Sequence, residues 1–124
     1  MTNVKYPEAR AEVVLAIKSL ADVDYQQRVW VERLYPQPGY YDDFTQNIHI
    51  LYDDTAVLED PISAVGIYLK SRDEADALIS VARALENIFA DLGTERPDAD
   101  YLRSPLWGAV VEAAARASQV MSDG

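Results

Sequence analysis

The only histidine of the chain, His49, stands four residues before Asp53, with Asp54 next to it. On a helix that spacing puts His49 and Asp53 on one face, an arrangement suited to a weak metal pair or to a base oriented by a carboxylate. A small hydrolase or metal-dependent enzyme would therefore use His49 with Asp53 or Asp54 in a pocket. A lone histidine beside an aspartate is more often a partly exposed residue making an ordinary hydrogen bond. The acidic pairs Asp42-Asp43, Asp53-Asp54 and Glu59-Asp60 also invite a metal reading, but 53–59 lacks the alternating oxygen ligands and the glycine of a calcium loop. Asp42 or Asp43 is expected to cap a helix, while Asp53, Asp54, Glu59 and Asp60 line a solvated loop. No glycine-rich phosphate loop, nucleophile elbow or His-Glu-x-x-His motif is present, and there is no cysteine. The sequence thus assigns no catalytic residue, no metal ligand and no cofactor.

A second pattern concerns binding. From Leu34 to Leu69 there is no Lys or Arg, while six acids (Asp42, Asp43, Asp53, Asp54, Glu59, Asp60) share the stretch with six aromatics (Tyr35, Tyr40, Tyr41, Phe44, Tyr52, Tyr68). Aromatic side chains anchor interfaces, and a patch of one sign steers an oppositely charged partner. Tyr40, Tyr41, Asp42, Asp43, Tyr52, Asp53, Asp54, Glu59 and Asp60 are accordingly the candidate contacts to a basic protein. The competing expectation is that half or more of these tyrosines close the core with their hydroxyls outward.

Helices must position these groups. Arg72 to Leu92 carries Ala75, Leu78, Ile79, Ala82, Leu85, Ile88, Phe89 and Leu92 at spacings of three and four. Ser71 with Glu74 reads as a capping box, and Gly93 as the left-handed residue that ends the helix. Ser104-Pro105 reads as an N-cap and first turn of a helix to about Val120, with Trp107, Val110, Val111, Ala114 and Ala117 inward. Pro7 opens a helix to Ala21 that turns Val13, Val14, Ile17, Leu20 and Ala21 inward. A further helix spans 22–34, capped by Asp22 or Asp24 and stopped by Tyr35-Pro36-Gln37-Pro38-Gly39. A shorter one follows Asp42 or Asp43 with Phe44, Ile48, Leu51 and Tyr52, although Ile48, Ile50 and Tyr52 also alternate like a strand. Asp60-Pro61 breaks any helix, and Ile67-Tyr68-Leu69 fits an extended segment or one turn.

The expected fold is mainly α: one bundle-like domain over residues 1–124 of four to six helices, with those at 7–21, 72–92 and 105–120 central and a less regular segment near 55–70. A chain of 124 residues, 49% hydrophobic and 26% charged, is the size of one core and buries roughly two thirds of its unfolded surface. Eleven basic against 21 acidic residues give a net charge of −10, which disfavours nucleic acid as a partner. The absence of cysteine suits a reducing cytoplasm. Met1-Thr2-Asn3-Val4-Lys5-Tyr6-Pro7-Glu8 carries charge where a signal peptide needs apolar residues, and no run approaches the roughly 18 apolar residues of a membrane span. Neither secretion by that route nor a membrane partner is expected.

The order Asp53-Asp54-Thr55, Val65-Gly66-x-x-Leu69, the helix led by Glu74, Tyr101-Leu102-x-x-Pro105-x-Trp107 and Val110-Val111-x-x-Ala114 resembles a group of uncharacterised small bacterial helical proteins. Some of that group are similar to immunity proteins of toxin systems. Asp22-Val23-Asp24-Tyr25-Gln26-Gln27-Arg28-Val29-Trp30 is similar to a block of the same relatives. The motifs are packing and turn residues, so the resemblance implies a helical fold and carries over no catalytic residue. The expected function is that of a small acidic protein-binding domain, of which an immunity-type inhibitor covering a basic toxin with the acidic aromatic stretch is one form. A structural homodimer is the other non-enzymatic expectation, and it would expose Trp30 or Trp107 in a patch.

Overall fold

Proline and aspartate set the first helix boundaries in the computed structural model, which describes residues 4–122. Met1 to Asn3, the start of the charged N-terminal stretch, and the last two residues of the 1–124 domain lie outside them. Pro7 occupies the first turn of α1 (Pro7–Ala21), where its missing N–H costs nothing. Asp22 caps α2 (23–31) by accepting the Tyr25 N–H at 3.0 Å. This helix is α-helical only over Val23–Tyr25 and widens to a π-helix over Gln26–Val31, two residues before Arg33 at φ +58°. It stops short of the expected Leu34. Of the two cap candidates for α3 (44–54), Asp43 takes the role, accepting the Gln46 N–H at 2.7 Å. Helix wins over strand at Ile48, Ile50 and Tyr52: α3 is α-helical over Phe44–Ile48 and π-helical over His49–Asp54.

Residues 55–71 form turns around one 3-10 turn, Ile62–Ala64, as the breaker Asp60-Pro61 requires. Asp60 holds that turn by accepting both the N–H and the hydroxyl of Ser63. Val65 and Leu69 make an isolated bridge, and no strand occurs among the described residues.

The longest helix, α4 (Arg72–Leu92), starts at Ser71, whose Oγ accepts the Glu74 N–H at 3.3 Å, and ends at Gly93 with φ +79°. Its buried face is wider than the stripe predicts, because Ala77, Val81 and Ala84 are buried as well. The reason is its place in the fold: α6 covers one side and the turn at 62–64 another. A short α5 (Asp98–Leu102), absent from the expected set, buries Tyr101, whose hydroxyl donates to the Gly93 carbonyl at 2.7 Å. The last helix, α6 (Trp107–Val120), begins two residues later than Ser104-Pro105 predicts. Ser104 Oγ accepts the Leu106 N–H at 3.1 Å, so the hydroxyl closes a turn ahead of the helix.

Helix α6 packs along both α1 and α4, which makes these three the centre of a mainly α, single domain with six helices among the described residues. One continuous core joins them, and Phe44 sits at an aromatic junction within 5.0–6.0 Å of the Tyr101, Trp107, Trp30 and Phe89 rings. Trp30 and Trp107 are each 4% exposed, so the tryptophan patch expected of a homodimer does not exist. No helix among the described residues is long and apolar enough to cross a membrane.

Candidate functional site

Four candidate residues in a row, Tyr40 to Asp43, close the loop between α2 and α3. The Pro-Gln-Pro-Gly stretch supplies its turn: Gly39 takes φ +83° and the Tyr40 N–H donates to the Gln37 carbonyl at 3.2 Å. Tyr35 lies under the loop, with ring centroids 6.3 Å from Tyr40 and 5.9 Å from Tyr41.

Asp42 fastens the loop to the body of the protein. Its Oδ2 accepts from Trp30 Nε1 at 2.9 Å and from the Tyr25 hydroxyl at 2.8 Å, and its Oδ1 accepts from Asn47 Nδ2 at 2.9 Å. With the Tyr25 proton committed to Asp42, the Tyr40 hydroxyl donates to Tyr25 at 2.5 Å. Burial, reinforced by the bonds to Tyr40 and Asp42, pushes the Tyr25 hydroxyl well above the ordinary tyrosine range. Tyr25 therefore keeps the phenol proton that it donates to Asp42. Asp42 and Tyr40, candidate partner contacts, already spend their polar atoms inside the fold.

Tyr41 is different. It is 57% exposed and its hydroxyl donates to Asp43, a bond that raises its pKa. It borders two clefts. One, of about 350 Å³, runs past Leu15, Lys18, Asp22, Tyr25, Tyr40 and Ile50. The other, of about 360 Å³, runs past Arg33, Tyr35, Asp43, Arg96 and Asp98. Asp98 accepts the Phe44 N–H at 3.0 Å, yet its carboxyl is held above the usual range, first by burial and then by the nearby Asp43 and Asp42 carboxylates. Lys18, Arg33 and Arg96 show that a stretch free of cations in sequence has cations beside it in space. Carboxylates still outnumber them: Glu12, Asp22 and Asp42 face Lys18 in the first cleft, and Asp42, Asp43 and Asp98 face two arginines in the second.

The remaining candidates lie beyond the loop. Asp53, Asp54, Glu59 and Asp60 are exposed, and Tyr52 is half-buried on α3. Burial, with the Glu86 and Glu59 carboxylates, pushes the Tyr52 hydroxyl up to about 12. His49 and Asp53 do meet one turn apart, both 61% exposed. Among the described residues no three His, Cys, Asp or Glu side chains converge to hold a metal ion.

Sequence reasoning missed Tyr25, Trp30 and Asp98 as parts of this site. The Asp22 to Trp30 block was the signal for the first two. Asp22 caps, Tyr25 and Trp30 hold Asp42, and the buried Gln26 donates to the Ser19 and Leu20 carbonyls while accepting from Trp107 Nε1 at 3.0 Å. No signal in the sequence marked Asp98.

No curated protein and no solved structure matches the chain. The chain belongs to the family described as a domain of unknown function, DUF7945, which it matches over residues 4–124.

Proposed function

We propose that this domain binds a basic protein, with Tyr41 as the aromatic anchor and the exposed carboxylates Asp53, Asp54, Glu59 and Asp60 as the steering charge. The observation that carries the reading is an exposed tyrosine on a loop whose base is locked by three hydrogen bonds to Asp42. A loop held in place before binding loses little conformational entropy on contact, so the tyrosine's buried area converts into affinity. Long-range charge of −10 favours encounter with a basic surface. An immunity-type inhibitor that covers a basic toxin is the biological form of this reading. Among the described residues no third His, Cys, Asp or Glu converges on the exposed pair His49–Asp53 to hold a metal ion.

Charge and anchor separate kinetically. Neutralising the exposed Asp53, Asp54, Glu59 and Asp60 to their amides is expected to slow association with the partner and flatten its salt dependence. Tyr41→Ala is expected to leave association nearly unchanged and speed dissociation at least tenfold, because buried aromatic contact acts on residence. The experiment is capture of partners on the immobilised domain, then binding kinetics at two salt concentrations. Recovery of acidic partners only, or kinetics indifferent to both sets of changes, overturns the proposal.

A further inference from the structure

A groove of about 650 Å³ opens between α3 and the C-terminal half of α4, away from Tyr41. Ile48 and Tyr52 come from α3, Phe89 and Ala90 from α4, and Glu86 and Glu95 stand along it as carboxylates. Unlike the clefts beside the Tyr41 loop, it is lined by no Lys or Arg among the described residues. Its polar rim also includes His49, which is engaged by Asp53. Tyr52 adds a buried hydroxyl without a hydrogen-bond partner among the described residues.

We infer that this groove binds a small organic cation, an amine carrying an apolar group. The volume falls in the range of small-molecule sites, where apolar walls supply affinity and a few charged groups fix orientation. Ile48, Phe89 and Ala90 take the apolar group, and Glu86 and Glu95 take the ammonium. An uncharged ligand of the same shape would leave both carboxylates unpaired, and an anion would be repelled. The inference is independent of the Tyr41 reading, because the two faces share no lining residue that either argument uses.

The test is titration of the full chain, labelled with nitrogen-15, with phenethylammonium, against the uncharged 2-phenylethanol and the anionic 3-phenylpropionate. The ammonium is expected to shift amide signals within 48–52 and 86–95 and to bind at least tenfold more tightly than the alcohol, with no binding of the anion. Glu86→Gln with Glu95→Gln is expected to reduce ammonium affinity to that of the alcohol, and Ala90→Arg to abolish it. All three positions are exposed, so these variants keep the fold, which circular dichroism checks. Equal affinity for ammonium and alcohol, shifts spread over the acidic surface, or indifference to Ala90→Arg overturns the inference. So does binding of a lysine-rich peptide at the groove with none of the free amine.

Discussion

One carboxylate, Asp42, organises the candidate site. Its partners are two half-buried or buried aromatic donors and an amide, and hydrogen bonds to a charged group contribute roughly 1.5–3 kcal/mol. Asp42→Ala leaves the Trp30 N–H and the Tyr25 hydroxyl without their acceptor, and a loss of about 1.5–3 kcal/mol in urea unfolding is expected; a change under about 0.5 kcal/mol would refute the network's role. Asp98 supplies a pH signature. Its raised pKa means that the folded state holds the Asp98 proton more readily than the unfolded chain does. Its contribution to stability is therefore present below the ordinary carboxylate range and is lost as pH rises through its folded pKa. Asp98→Asn keeps an oxygen for the Phe44 N–H and removes the ionisation, so the variant is expected to melt above the parent at pH 7 and not at pH 3. The same difference at both pH values would contradict this account.

At the scale of elements, α2 and α3 behave alike: each begins α-helical, widens to a π-helix and stops two residues before a non-glycine residue in the left-handed region, Arg33 at φ +58° and Ala56 at φ +56°. A side chain there costs roughly 1–2 kcal/mol, which glycine escapes at the expense of a more flexible unfolded chain. Ala56→Gly is expected to stabilise the protein by about 0.5–1 kcal/mol in thermal or urea unfolding. Destabilisation by that change would mean that the Ala56 methyl contributes more packing than its conformation costs. Periodicity of 3.6 cannot announce such widening, because the π turn adds a residue only where neighbouring elements demand it. The late start of α6 has a similar origin: Ser104-Pro105 is a good helix opening by local rules, but Ser104 is used to close the turn that follows α5.

Across the whole molecule, the buried pair Arg10–Glu74 ties distant parts together. Two contacts at 2.7 and 2.8 Å join α1 to the first turn of α4, and Arg10 also donates to the Tyr68 carbonyl at 3.0 Å. The Glu74 carboxylate accepts the Lys70 N–H at 2.7 Å as well, so the acid expected to complete a capping box works chiefly as a clamp. Removing one member of a buried pair strands the other charge. Glu74→Ala is expected to cost about 3–5 kcal/mol, and Arg10→Met with Glu74→Leu to cost much less, measured by urea unfolding. Equal losses in both variants would show that the pair contributes through its own attraction and not through the cost of an unpaired partner.

Helix identity was legible in the chain itself. The apolar spacing from Ala75 to Leu92, the prolines at Pro7 and Pro61, the caps Asp22, Asp43 and Ser71 and the stop at Gly93 all act within a turn or two of their own position, so local sequence carries them. What Tyr40 to Asp43 do was decided only in three dimensions. The choice of Asp43 as cap freed Asp42 to turn inward to Tyr25 and Trp30, 17 and 12 residues away, leaving Tyr41 as the outward aromatic. Lys18, Arg96 and Asp98 reach the loop from other elements, Arg33 from its opposite end, and Glu86 meets Tyr52 from α4. Charge composition along one segment does not specify charge in space, because a surface is assembled from every element that packs beside it.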